Sequence, residues 1–142
     1  MTLLDSFSPG DTESASRGQL AHPMNIAHLK QLEKRLYQVG EKAYCFVGNG
    51  LSNQSFIEGP EGLIVIDTGE SVEEMKAALK AVRKVSKSPV AACFYSHFHY
   101  VSGTQALLDE GNVTDIPIYG HAGIPENIAR FGGEVAPRVS RG

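Results

Sequence analysis

The stretch from Leu63 to Tyr95 restricts the possible folds more than any other part of the chain. Leu63-Ile64-Val65-Ile66 is an unbroken apolar run, the pattern of a central strand covered on both faces. Gly59-Pro60-Glu61-Gly62 before it is a strong turn, and Ser55 to Glu58 reads as the other arm of a hairpin. Ser71 then opens a helix with Glu73 and Glu74 in its first turn, where acidic groups suit the N-terminal dipole. Val72, Met75, Leu79, Val82 and Val85 form one apolar stripe. Ser88-Pro89 ends the connection, and Val90 to Tyr95 reads as the next buried strand. Strand, amphipathic helix and strand of this length make a right-handed βαβ unit. The expected fold class is therefore α/β.

The flanks are less constrained. Tyr44 to Val47 predicts an earlier strand, set off by Gly48-Asn49-Gly50. Ile26, Leu29, Leu32 and Leu36 recur at helical spacing and predict a helix from Asn25 to Leu36. Thr104 to Asp109 predicts a short helix, Ile116 to Tyr119 a short strand, and Pro125 to Arg130 one or two helical turns. Residues 1–24 are expected to be a flexible lead-in and residues 25–142 a single domain.

Composition excludes some classes of function. A formal net charge of −3 gives no electrostatic footprint for nucleic acid or an anionic membrane. No apolar run approaches the roughly 20 residues of a membrane span. The start of the chain lacks a basic-then-apolar leader pattern, which points to a cytoplasmic protein. Cys45 and Cys93 both lie in apolar runs and are expected to be buried thiols, not a disulfide.

The chemistry concentrates in Ser96-His97-Phe98-His99-Tyr100-Val101-Ser102-Gly103-Thr104. In an extended chain residues two apart share a side. His97 and His99 can then aim both imidazoles at one point as the chain leaves its strand, which is a way to begin a metal site. A bare His-x-His also occurs as two ordinary histidines at a strand end. His121 follows a short strand and is a candidate third nitrogen, or an exposed loop histidine. His22 and His28 read as surface residues. Zinc sites use three or four protein ligands, so two histidines alone do not complete one.

In order, these pieces resemble the metallo-β-lactamase superfamily: hairpin strands, a strand ending in Asp67-Thr68-Gly69, a helix, a strand ending in His97-Phe98-His99, a glycine, then a helix. Within it, Leu51 to Gly59, Gly62 to Thr68 and the Arg138 to Arg141 tail resemble the alkylsulfatase branch. The resemblance implies the first half of a four-layer αββα sandwich, a mixed sheet with helices on one face. It implies that His97 and His99 ligate a metal and that Asp67 braces the ligand loop. The family motif is H-x-H-x-D-H, with the aspartate and last histidine serving a second zinc. Here those positions hold Val101 and Ser102, a side chain that cannot ligate and one that is a poor zinc ligand. One zinc is expected, not two. Asn53, with Ser52 and Ser55, matches a polar segment beside the family's active-site mouth, or serves as strand-edge hydrogen bonding. Tyr100 and Ser102 lie beside the histidines without a partner base. Gly103 is expected to let the chain turn tightly, and Glu126, Arg130 and Glu134 are assigned no role.

The resemblance implies a metal-dependent hydrolase acting on a small-molecule ester, a sulfate ester in the alkylsulfatase branch, through a metal-activated water. The alternative is a non-catalytic binding or assembly module on the same scaffold. A sheet with helices on one face leaves the other face to be covered. Self-association as a homo-oligomer, or a missing C-terminal half, is expected.

Overall fold

A computed structural model describes residues 12–135. The Arg138 to Arg141 tail and the first 11 residues of the expected lead-in lie outside the described residues. The chain divides into two compact units, meeting in sequence between Glu33 and Lys34.

In the first unit, β1 (Glu13–Ser14) and β2 (Leu20–Ala21) form a short antiparallel ladder. Helix α1 spans Pro23–Leu29 and is followed by a 3-10 turn, Lys30–Leu32. The helix expected to reach Leu36 therefore stops short. It also starts earlier, because Pro23 sits in its first turn and the His22 ring nitrogen accepts the Met24 N–H at 3.2 Å. Leu36 lies instead in β3 (Arg35–Gln38), opposite Phe46 of β4 (Ala43–Val47). Pairing with a neighbouring strand outweighs helical spacing in a segment this short.

The second unit is built on a six-stranded sheet of order β3-β4-β5-β6-β7-β8. Strands β5 (Gln54–Glu58) and β6 (Leu63–Ile66) form the expected hairpin, closed by the Gly59 N–H on the Gly62 carbonyl at 2.8 Å. The pairs from β3 to β6 are antiparallel, and β7 (Val90–Phe94) and β8 (Ile118–Tyr119) join in parallel. Helix α2 (Val72–Val82) connects β6 to β7. Ser71 caps it by accepting the Glu74 N–H at 3.1 Å, and Met75, Ala78, Leu79 and Val82 are its buried side. Helix α3 (Thr104–Gly111) lies between β7 and β8, and α4 (Ile124–Arg130) runs into a π-helical turn, Phe131–Val135. Strand β8 is shorter than expected. Pro117 has no N–H for a ladder, although its carbonyl accepts from Cys93 at 2.9 Å.

One core forms where Phe46, Phe56, Leu63, Val65 and Cys93 of the sheet meet Met75, Leu79 and Val82 of α2 and Leu107 of α3. Alternate residues face the other way. Leu63 and Val65 are fully buried, whereas Ile64 and Ile66 are only half-buried. The expectation of a strand covered on both faces is thus corrected: β6 is apolar throughout but covered on one face. The open face carries Ile66, Phe94 and Tyr119 in one row across β6, β7 and β8, with the Phe94 and Tyr119 rings stacked 4.7 Å apart. Polar clamps close the core rim. Arg83 grips both Glu110 oxygens at 2.7 Å, which raises its already high pKa and ties α2 to α3. Ser88 and Ser86 donate to Glu58 and hold its carboxyl below the usual range.

Both thiols are free, and only Cys93 is buried. Burial, with the nearby Asp67 carboxylate adding to it, pushes the Cys93 thiol up to about 12. An aromatic disulfide reagent is therefore expected to label Cys45 in the native protein and Cys93 only on unfolding. Native Cys45→Ser should be unreactive. The folded state holds the Cys93 proton more tightly than the unfolded chain does. Its contribution to stability is therefore complete below the reference value of 9.0 and is lost as pH rises toward about 12. Denaturant midpoints measured across that range check the sign.

Candidate functional site

Because β6 and β7 are parallel, their C-terminal ends lie side by side, the position where open α/β sheets place their functional loops. Asp67 and Thr68 leave β6 there, and Ser96 to Val101 leave β7. Asp67 turns the chain with a left-handed backbone, φ 60°, a conformation that Asp and Asn tolerate better than most side chains. Its backbone N–H reaches the Phe94 carbonyl at 2.9 Å. The residue is only 8% exposed, and its carboxylate reaches across to the next loop. The Ser96 N–H donates to one oxygen at 2.8 Å and the Ser96 hydroxyl to the other at 2.6 Å.

His97 has extended backbone and precedes a 3-10 turn, Phe98–Tyr100, that carries His99. The pair was expected to converge along an extended chain. The structure instead puts His99 in that tight turn, with the two ring centroids 5.1 Å apart and edge-on at 69° to each other. The Tyr100 ring lies 4.7 Å from His97, and Phe131 meets the edge of His99 at 5.5 Å. His99, Phe98, Val101, Glu70, Ile128 and Phe131 line a shallow cleft of about 260 Å³.

The loop is pinned from beneath. The Thr68 N–H and hydroxyl both donate to the Tyr100 carbonyl, at 2.8 and 3.2 Å. Ser102 N–H reaches the Gly69 carbonyl at 3.2 Å, and Gly69 bridges to Val101. Thr104 donates its hydroxyl to the Val101 carbonyl at 2.8 Å and bonds the Tyr95 hydroxyl. Burial raises the Tyr95 pKa against the lowering effect of that bond.

Gly103 lies in the expected turn into α3 with an ordinary φ of −85°, so what the position demands is space, not a left-handed backbone. A Cβ there would lie 2.0 Å from the Thr68 carbonyl oxygen and 2.7 Å from Met75 Cβ.

The other candidates separate from this centre. His121 is exposed and its ring accepts the Gly123 N–H at 3.1 Å within its own turn. Asn53 is exposed. Ser52 is buried and accepts from the Gln54 amide at 2.9 Å, while Ser55 donates to Cys45 Sγ at 3.5 Å on the open face. Arg130 and Glu134 pair with each other at 3.3 Å, both largely exposed. His22 and His28 belong to the first unit. Among the described residues no group of three or more His, Cys, Asp or Glu side chains is placed to hold a metal ion. His97 and His99 stand as a pair, short of the three or four protein ligands that zinc sites use.

Two contributors had no role assigned from sequence. Ser96 stands next to His97 in the motif, but only its contact with Asp67 reveals what it does. Gln54 is fully buried behind Ser52, with its Oε1 lacking a partner among the described residues. A polar side chain inside a strand is its only sequence signal.

A mixed sheet with helices on one face and a His-x-His loop at the ends of its parallel strands defines the class of fold. The family model of the metallo-beta-lactamase superfamily matches residues 47–139, and the chain belongs to that superfamily. Members of this superfamily bind metal ions. A linear primary-alkylsulfatase from Pseudomonas sp. is 39% identical over 85 residues, which is 57% of this chain and 16% of that protein. An (R)-specific secondary-alkylsulfatase from Pseudomonas sp. is 33% identical over 114 residues, 78% of this chain and 16% of its own length. The chain therefore spans about a sixth of these relatives. The solved stereoselective inverting sec-alkylsulfatase Pisa1 from Pseudomonas sp. superposes with a TM-score of 0.59 at 24% identity. That match covers 84% of this chain and 24% of the other, and it bears on the fold. No helix among the described residues is long and apolar enough to cross a membrane.

Proposed function

We propose that this chain carries the first ligand pair of a metal-dependent hydrolase of the alkylsulfatase type, with His97 and His99 as two nitrogen donors to one zinc ion. The observation carrying this reading is the closeness of the two imidazoles, 5.1 Å between ring centroids, at the ends of parallel strands on a loop held by the Asp67 carboxylate. Val101 and Ser102 leave no ligands for a second metal, and no third donor stands beside the two histidines among the described residues, so the zinc site would be completed by a residue outside the described ones or by a second copy of the chain. A zinc ion bound there would lower the pKa of its water toward neutrality and polarise a scissile ester. His97 and His99 would hold the ion, Asp67 would keep their loop in place, and the cleft beside Phe98 and Phe131 would take the apolar part of the ester. Alkylsulfatase relatives support a sulfate ester as substrate.

Metal content of the untagged protein, measured by plasma mass spectrometry after zinc loading, tests this. His97→Ala and His99→Ala are each expected to abolish binding, and His121→Ala to leave it intact. Loss of metal in His121→Ala alone would overturn the ligand assignment. No metal in the unaltered protein would mean either that the chain lacks the part that completes the site or that it is a non-catalytic module, the second reading, for which Val101 and Ser102 speak.

A further inference from the structure

We propose that Ser96 is a positioning residue that sets the tautomer of His97 and so decides which ring nitrogen the site presents. Three groups form a chain. The Ser96 hydroxyl donates to Asp67 Oδ2 at 2.6 Å, and the same oxygen lies 2.8 Å from His97 Nδ1. A carboxylate offers only acceptors, and a hydroxyl has one proton. That proton goes to Asp67, so the Ser96 oxygen meets His97 as an acceptor. Nδ1 must then carry the hydrogen, and Nε2 keeps its lone pair.

The direction is imposed from the buried end. Asp67 is 8% exposed, and its second oxygen takes the Ser96 N–H at 2.8 Å. Ser96 is thereby held by backbone and side chain together, and its hydroxyl cannot rotate toward His97 without breaking the charge-assisted bond, the stronger kind. In water an unbiased imidazole favours the opposite tautomer, with hydrogen on Nε2. His99 is held differently, by ring contacts with Phe98 at 3.9 Å and Phe131 at 5.5 Å. The consequence is a histidine delivered with Nε2 free to bind an electrophile, with no prior exchange of its proton. What Nε2 meets rests on the function proposed above; the tautomer itself does not.

The test separates the two. Long-range proton–nitrogen correlation spectra are recorded on the ¹⁵N-labelled full chain without metal, well above the ordinary histidine titration range, with His97 assigned from His97→Gln. The unaltered protein should show His97 protonated at Nδ1 and unprotonated at Nε2. Ser96→Ala should shift the tautomer ratio toward Nε2–H by about tenfold, the worth of one net hydrogen bond, and Ser96→Thr should restore it. Zinc affinity should fall about 10- to 100-fold in Ser96→Ala and recover in Ser96→Thr. An Nε2–H tautomer in the unaltered protein overturns the proposal whether or not any variant folds, and so does an unchanged ratio in Ser96→Ala. A protein that shows the Nδ1–H tautomer but takes up no zinc overturns the metal reading alone.

Discussion

Asp67→Ala is expected to lower the stability of the residue 34–135 unit by about 4 kcal/mol or more, the sum of its losses. The two Ser96 bonds, at 2.8 and 2.6 Å, both end on this largely buried carboxylate. Bonds to a charged group contribute about 1.5–3 kcal/mol each. Loss of the carboxylate leaves the Ser96 hydroxyl without its acceptor and the His97 ring without its fixed partner. Alanine must also adopt the φ of 60°, which costs about 1 kcal/mol more. Asp67→Gly removes the bonds but not the backbone ease, so its loss should be smaller than that of alanine by about that amount. Asp67→Asn tolerates the backbone and keeps one acceptor, so it should fall between alanine and the native residue. Urea unfolding followed by far-ultraviolet dichroism measures the series. A loss below about 1 kcal/mol in Asp67→Ala would show that the carboxylate does not hold the loop.

The second large effect is expected at Gly103. The atoms an added Cβ would meet are the Thr68 carbonyl oxygen at 2.0 Å, Met75 Cβ at 2.7 Å and the Ser71 carbonyl oxygen at 2.8 Å. Two are backbone and the third is fixed to a buried helix residue, so none can swing aside. Overpacking in a dense core commonly costs 1–3 kcal/mol, and Gly103→Ala should reach about 3 kcal/mol or more. Relief would require the start of α3 to move off Thr68 and the first turn of α2, dragging the Val101–Thr104 anchor and the histidine turn with it. Gly103→Ala should therefore also alter the His97 and His99 resonances. Gly40→Ala, with nothing within 4 Å of the added atom, is the control and should stay within about 0.5 kcal/mol. Equal effects in the two variants would remove the steric account of Gly103.

Much of this was legible in the residues. Ser71 with Glu73 and Glu74, the stripe of Met75, Leu79 and Val82, and the Gly59 to Gly62 turn act over a few positions. Their helix and hairpin appear with nearly the expected limits. The His97-Phe98-His99 motif marked the loop, and its place in a strand-helix-strand order carried the family. Leu36 misled because its helical spacing with Leu29 and Leu32 is the accident of a helix followed closely by a strand. Ile64 and Ile66 misled because apolar character does not say whether anything covers it.

What local chemistry could not supply is everything that joins distant segments. Capping, turn formation and helical periodicity depend on neighbours within about one turn, so they are written in consecutive residues. Asp67 and Ser96 lie 29 residues apart, and Gly103 meets Thr68 from another element. Their contacts exist because parallel pairing of β6 with β7 brings two chain ends together. That pairing is stabilised by a core from both helices and the sheet, which no single segment contains. The residues named a loop with two histidines; the parallel sheet made it a site, orienting one imidazole through a carboxylate and a hydroxyl from different strands' ends.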